Sequence, residues 1–115
     1  MYNYQDLYYN PYTMENQRRE LRQAKGKVTL LRVHDVGTGY GPSQDFIDVE
    51  VVFWLDTHPR MAFGFQLRND KNRPAREGML SLLREAFENN WTVTTDYSID
   101  PGKKNGVAIR VWATK

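Results

Sequence analysis

Residues 72–90 contain the only long helical period in the chain, and its late position in a strand-rich sequence constrains the fold more than any other feature. Apolar side chains recur at i, i+3, i+4, i+7 and i+8, the spacing of one helix face: Met79, Leu82, Leu83, Ala86 and Phe87. Pro74 suits the first turn, after Asn72 or Arg73 as N-cap, and Asn89-Asn90 tolerate the left-handed conformation that ends a helix. The pattern predicts one amphipathic helix.

Three strand-like runs precede this helix. Residues 27–36 lack strict alternation, which is typical of a long bent strand that serves both halves of a barrel. Residues 45–56 alternate, which predicts one set of side chains in the core (Ile47, Val49, Val51, Phe53, Leu55) and another facing outward (Phe46, Asp48, Glu50, Val52, Trp54). After a turn at 57–60, residues 61–68 point inward through Met61, Phe63, Phe65 and Leu67, and Gly64 allows a bend or bulge.

Two more strand-like runs follow the helix. Residues 91–99 place Val93, Thr95, Tyr97 and Ile99 on one face, and residues 107–115 place Val107, Ile109 and Val111 inward with Arg110 and Trp112 outward. This order predicts a mainly β fold with one α-helix, a five-stranded barrel of the oligonucleotide/oligosaccharide-binding (OB) type with its helix between strands 3 and 4. Such barrels are usually binding and assembly modules rather than enzymes.

The barrel is expected to occupy residues 27–115, behind an N-terminal extension at 1–26. The extension holds five tyrosines, Tyr2, Tyr4, Tyr8, Tyr9 and Tyr12. Disordered tails are poor in aromatic residues, so we expect these side chains to dock either on their own barrel or on a neighbouring subunit. Residues 14–25 suit a short polar helix that Gly26 ends.

Composition narrows the class of protein further. The chain has no cysteine, which excludes disulfides and thiolate metal sites. No apolar run approaches the roughly 18 residues of a membrane span, and the first residues lack the pattern of a secretory signal. We therefore expect no membrane insertion and a cytoplasmic location by default, with secretion left open if a signal has been removed.

The net charge of +2 is unevenly distributed. Residues 1–27 hold five of the 16 basic and three of the 14 acidic residues, so the remaining 11 basic and 11 acidic residues cancel. Nucleic-acid binders usually gather excess positive charge because phosphate contacts supply much of their affinity. A neutral barrel body therefore argues against nucleic acid as the first choice of ligand.

The run Ser81-Leu82-Leu83-Arg84-Glu85-Ala86, followed by Trp91-Thr92-Val93-Thr94, resembles the helix and fourth strand of the Shiga-type toxin B subunits. Those proteins share the S-L-L-x-x-A start and the T-V-T strand at the same spacing. Gly26-Lys27-Val28 is similar to the start of their first strand. Cholera-type B subunits are similar in the same helix, through Met79, Leu83, Arg84 and Ala86.

The resemblance implies an OB barrel that assembles into a ring, with its helices facing a central pore. The chain also departs from that family. It lacks the cysteine pair, its first loop and N-terminus are longer, and no aromatic residue opens the helix beside Pro74 and Ala75. The glycan-binding residues of the family are therefore not carried over to this chain.

Candidate binding residues come from basic and outward aromatic side chains. The densest basic cluster consists of Arg68, Lys71, Arg73 and Arg76, interleaved with Asp70 and Glu77. A second basic cluster is Lys103-Lys104. Each cluster fits either a solvated loop or a site for an anionic partner. Outward aromatics, Trp54, Trp112 and Phe46, can stack on sugars or bases or lie at a subunit interface. The ligand-binding candidates are Arg68, Lys71, Arg73, Trp54, Trp112 and Arg110. The interface candidates are Tyr2, Tyr4, Tyr8, Tyr9, Tyr12, Arg76, Arg84, Glu77 and Glu88.

The remaining glycine, acidic and histidine motifs are better explained by structural roles than by phosphate binding, catalysis or metal binding. The glycines at 37–41 lie in a loop between strands and not at the start of a helix, so they do not form a phosphate-binding site. Asp45, Asp48 and Glu50 are ordinary acids for a solvent-facing strand. His34 and His58 lack ligand spacing, and no nucleophile has a recognisable triad. We expect no enzyme activity, no cofactor and no metal.

The sequence therefore predicts a non-catalytic OB-fold module that self-associates into a ring, with a pentamer as one candidate size, and binds a glycan or a protein partner. The alternative is a single-stranded nucleic-acid-binding OB-fold protein that uses Arg68, Lys71 and Arg73 with Trp54 and Trp112. The two hypotheses differ in salt dependence, because only phosphate contacts make affinity fall steeply with salt.

Overall fold

The structure, a computed structural model, describes residues 21–115. Its elements are β1 (Arg22–Val33), β2 (Val51–Leu55), β3 (Ala62–Phe65), α1 (Arg73–Asn89), β4 (Thr92–Ser98) and β5 (Gly106–Thr114). The strands close into a barrel in the order β1-β2-β3-β5-β4. Neighbours are antiparallel except β3 and β5, which are parallel. The predicted fold class is confirmed: mainly β, with a closed five-stranded barrel and its helix between strands 3 and 4.

Strand β1 serves two neighbours, as its irregular sequence predicts. Its first half pairs with β4 and its second half with β2, and the register shifts between Val28 and Leu30. The helix predicted for 14–25 is wrong at residues 22–25, because β1 already begins at Arg22. Ala24 there is buried in the core, and the pairing with β4 overrides the polar, helix-compatible local sequence. Residues 14–20 and the tyrosines of the extension lie outside the described part of the chain.

The core inside the barrel is built from apolar side chains of every strand and from the helix. Phe53, Phe63 and Phe65 are fully buried, and the Phe63 ring lies 5.5 Å from Phe53 and 5.0 Å from Tyr97. The inward positions predicted for these strands are therefore confirmed at Val51, Phe53, Leu55, Phe63, Phe65, Val93 and Tyr97. α1 adds Leu83 and Ala86 and packs against β1 and β5.

A second apolar cluster lies on the opposite face of β2 and β3. Val52 and Ala62 are buried there, beneath Ile47 and Val49 from the loop before β2. Two predictions are corrected here. Residues 45–50 are not a strand but a crossing loop with one bridge, Tyr40 to Ile47, so Ile47 and Val49 belong to this outer layer. Val52, predicted to face outward, is covered by them, and Gly64 leaves the space that Val49 fills.

A bulge in β5 and the rotation of α1 about its axis explain two more differences between the predicted and observed buried side chains. In β5 the register shifts so that Asp96 pairs with Arg110 but Tyr97 with Ala108, which leaves Ile109 without a partner. Ala108 therefore faces the core, and the inward positions predicted for Val107 and Ile109 are wrong. In α1 Leu83 and Ala86 are buried, and Met79 and Leu80 pack half-buried against the core. Of the predicted stripe, Leu82 is half-buried outside this cluster and Phe87 is 48% exposed, because the helix is rotated so that Leu80 faces the barrel instead.

The end of the helix follows the prediction. Asn90 is the C-cap in the left-handed conformation, with φ 59°, and its N–H donates to the carbonyl of Ala86. Asn72 is the N-cap, although its side chain makes no capping hydrogen bond. Among residues 21–115 no helix has the length and apolar character needed to cross a membrane.

Candidate functional site

The loop before β2 is held to the end of β3 by a buried ion pair. Glu50 is only 3% exposed, and its carboxylate accepts from Arg68 Nε at 3.0 Å, from Arg68 Nη2 at 2.7 Å and from the backbone N–H of Leu67 at 2.9 Å. The prediction that Glu50 faces solvent is wrong, because the crossing loop turns it inward toward Arg68. Asp48, which is half exposed, accepts a third bond from Arg68 Nη2 at 2.7 Å.

These contacts fix both the charge and the position of Arg68. Hydrogen bonds to Glu50 and then to Asp48 raise the pKa of its guanidinium above the usual range. A bidentate guanidinium–carboxylate pair is also geometrically rigid. Arg68, predicted as a ligand-binding cation, is therefore occupied by two carboxylates of its own chain.

His34 and Gln66 secure the same loop through backbone carbonyls. His34 Nε2 donates to the carbonyl of Val49 at 2.7 Å, and its backbone N–H donates to that of Glu50 at 2.9 Å. Gln66 Nε2 donates to the carbonyl of Asp48 at 3.0 Å. His34 Nε2 is thus engaged by a backbone carbonyl, and residues 21–115 contain no group of three or more His, Cys, Asp or Glu side chains arranged for a metal ion.

This arrangement opens a groove between the crossing loop, the end of β3 and the first turn of α1. The groove has a volume of about 430 Å³. Within residues 21–115 its lining consists of two valines and six polar side chains: Val49, Val107, Asp48, Gln66, Asp70, Lys71, Asn72 and Arg76. The volume falls within the range of ligand-binding clefts, roughly 300–1,000 Å³.

The charges in the groove are largely balanced by one another. Asp70 accepts from the backbone N–H of Asn72 at 2.9 Å and lies 3.8 Å from Arg76. Asp48 is neutralised by Arg68 at the opposite side. The groove therefore offers carboxylate, amide and cationic groups together, without a dominant sign of charge.

The predicted ligand-binding residues are only partly brought together. Lys71 lines the groove. Arg68 does not line it but pairs with carboxylates of the crossing loop, which forms one wall. Arg73 pairs with Glu77 on α1 at 2.8 Å. Arg76, predicted for an interface, also lines the groove. The other interface candidates on α1, Glu77, Arg84 and Glu88, are exposed.

The two tryptophans do not line this groove. Trp54 is half-buried beside the outer cluster, and its indole Nε1 finds no acceptor within residues 21–115. Trp112 is 38% exposed at the far end of β5, where it pairs with Thr94 and not with β3. Arg110 lies on the same strand, and its Nε is 3.2 Å from the carboxylate of Asp96. Asp96 also accepts a hydrogen bond from the side-chain amide of Gln23. The predicted set is therefore distributed over two separate faces.

Sequence reasoning missed Gln66, Asn72, Val49 and Val107. Gln66 directly follows the third strand and Asn72 precedes the helix, so both stand where a loop meets a regular element. That position is a usable signal, since binding residues often lie on loops held by a rigid scaffold. Val49 and Val107 gave no signal, because their outward placement depends on the crossing loop and on the bulge in β5.

Comparison of the chain with known protein families, with curated proteins and with solved structures found no match. The resemblance of residues 81–94 to the toxin B subunits stays a prediction. The sequence-derived ring and the ligand class likewise stay predictions, and the groove supplies the chemistry on which a function is proposed.

Proposed function

We propose that this protein is a non-catalytic binding and assembly module of the OB type, and that its groove binds a neutral, hydroxyl-rich ligand such as a glycan. The observation that carries the proposal is the mixed lining of the groove, where Asp48, Gln66, Asp70, Lys71 and Arg76 stand around an apolar patch. A hydroxyl group both donates and accepts, so it can use acidic, amide and cationic neighbours at once. A ligand carrying many hydroxyls gains from each of these side chains.

The same lining disfavours a nucleic-acid backbone. A phosphate approaching Lys71 or Arg76 also meets Asp70 and Asp48, and like charges repel. Arg68 is engaged by Glu50 and Asp48, and neither Trp54 nor Trp112 lines the groove to stack a base. These contacts weaken the alternative of a single-stranded nucleic-acid binder, whose affinity needs free cations and aromatic platforms.

The proposal includes self-association. Several large apolar side chains remain exposed in the described part of the chain, among them Phe87 on α1 and Trp112 on β5. Exposed aromatic side chains are enriched at protein interfaces. The polar face of α1 carries Arg84 and Glu88, charges of both signs that suit a helix packed beside its neighbours. These features support the predicted ring, in which the subunits contact one another through α1 and β5.

Binding to a glycan array tests the ligand class. We expect the full chain to bind a subset of neutral oligosaccharides, and Gln66→Ala to reduce that affinity about tenfold, because the groove loses one amide that can hydrogen-bond a hydroxyl of the ligand. Gln44→Ala is the matched control, since Gln44 is an exposed glutamine outside the groove. Circular dichroism establishes that both variants fold. Absence of binding to every oligosaccharide, or equal losses in the two variants, would contradict the proposal.

A further inference from the structure

A second pocket lies where the turn between β2 and β3 meets the connection between β4 and β5. It is open to solvent and has a volume of about 400 Å³. Its lining residues are His58, Pro59, Arg60, Met61, Ile99, Lys103 and Lys104. None of them lines the groove described above. The sequence singled out Lys103-Lys104 as a basic cluster but did not connect them with residues 58–61.

The floor of this pocket is apolar and continuous with the core. Met61 and Ile99 are half-buried and pack against the buried cluster inside the barrel. Methionine is unbranched and polarisable, so it adapts to apolar groups of different shape. An apolar side chain placed on this floor extends the core outward and loses its contact with water.

The rim of the pocket is cationic. Within residues 21–115, the side chains of Arg60 and Lys104 have no carboxylate partner, and Lys103 Nζ donates to the carbonyl of Phe46 at 3.0 Å, which leaves its charge uncompensated. Two acids lie beside the rim: Asp45 Oδ1 accepts the backbone N–H of Lys104 at 2.9 Å, and Asp100 directly follows Ile99 in the chain. The three cations among the described lining residues outnumber these two carboxylates, so the rim keeps an excess of positive charge that the groove lacks.

The loop that carries the two lysines is fixed in place. Asn105 is buried; its Oδ1 accepts the N–H of Ala62 at 3.0 Å and its Nδ2 donates to the carbonyl of Asp45 at 3.2 Å. On the other side, Thr57 Oγ1 donates to the carbonyl of Lys25 at 2.7 Å. Because the backbone on both sides of the rim is anchored in this way, little backbone conformational entropy is lost when a ligand binds.

We propose that this pocket binds an acidic peptide segment of a partner protein, with one apolar side chain on Met61 and Ile99 and flanking carboxylates beside Arg60, Lys103 and Lys104. Charge complementarity selects the acidic residues, and the floor requires the apolar one. The open shape favours a segment of a protein, since small-molecule sites bury most of their ligand. A nucleic acid fits less well, because His58 is the only aromatic side chain among the pocket-lining residues of the described part, 21–115, and bases bind by stacking.

The experiment measures fluorescence anisotropy of labelled peptides with the full chain at about 0.1 M salt, where the Debye length is about 10 Å. One probe has glutamates around a central leucine, a second has serine in place of the leucine, and a third has lysines in place of the glutamates. A mixed-sequence single-stranded oligonucleotide is the fourth probe. Lys104→Glu is compared with Lys115→Glu, which makes the same change of net charge at the opposite end of β5, away from the pocket.

We expect the leucine-containing acidic peptide to bind more tightly than the other three probes. Lys104→Glu should weaken its binding about tenfold, while Lys115→Glu should change it less than about twofold, because exposed charges are screened beyond roughly one Debye length. Three results would each overturn the proposal: no binding of the acidic peptide, equal binding of its serine version, or tighter binding of the oligonucleotide. None of these results bears on the groove, which is tested with oligosaccharides.

Discussion

Glu50 shows how one side chain makes a loop into one wall of the groove. Its carboxylate accepts two hydrogen bonds from Arg68 and one from the backbone N–H of Leu67, which ties the crossing loop to the residues that follow β3. Alternation along residues 45–56 predicted this glutamate on a solvent face. The sequence carries no local sign of the pairing, because Arg68 lies 18 residues further along the chain.

Removal of this carboxylate should be costly for stability. In Glu50→Ala the part-buried N–H of Leu67 loses its acceptor and Arg68 keeps only Asp48 as a carboxylate partner, so we expect the free energy of unfolding to fall by about 2 kcal/mol. Glu77→Ala is the control, since it removes an exposed i,i+4 pair with Arg73 and should cost less than about 0.5 kcal/mol. Urea denaturation of both variants measures the difference. Equal midpoints would show that the Glu50 network does not stabilise the fold.

At the scale of elements, the sequence predicted the type and order of the helix and strands better than it predicted which of their side chains face the core. The inward side chains predicted for β3 and β4 lie in the barrel core at Phe63, Phe65, Val93 and Tyr97, although the outer positions Ala62, Thr94 and Ser98 are buried too. Alternation failed where long-range contacts decide the outcome. Residues 22–25 join β1 through pairing with β4, and the bulge in β5 turns Ala108 inward in place of Ile109. Most of the groove also lies in irregular segments, so only its basic residues could be predicted.

The C-terminus of α1 gives an element-scale prediction. Asn90 adopts φ 59°, a conformation that β-branched residues enter only with strain. We expect Asn90→Val to lower the free energy of unfolding by about 1–2 kcal/mol, and Asn90→Gly to leave it nearly unchanged. Asn89→Val is a matched control inside the helix, where asparagine and valine have similar propensities. Thermal denaturation decides between them; an equal loss in Asn90→Val and Asn89→Val would refute a specific capping role.

At the scale of the whole molecule, assembly is the second part of the proposed function. Native mass spectrometry at micromolar concentration should give the mass of an oligomer, several times the 13.5 kDa of one chain. The double variant Phe87→Ser/Trp112→Ser should shift the protein toward single chains, because it removes two exposed aromatic side chains from the proposed contact surface. Deletion of residues 1–13 should have the same effect if that segment docks on a neighbouring subunit. A wild-type mass of 13.5 kDa would remove the ring from the proposal.

An NMR titration with the oligosaccharide that binds best on the array tests most directly whether the groove is the glycan-binding site. The ¹⁵N-labelled chain is observed while the sugar is added. If the groove is the binding site, the backbone signals of Gln66, Lys71, Asn72 and Arg76 shift together in a saturable manner, while those of Lys103 and Lys104 stay in place. Saturable shifts confined to another face of the barrel, with these four signals unmoved, would contradict the account.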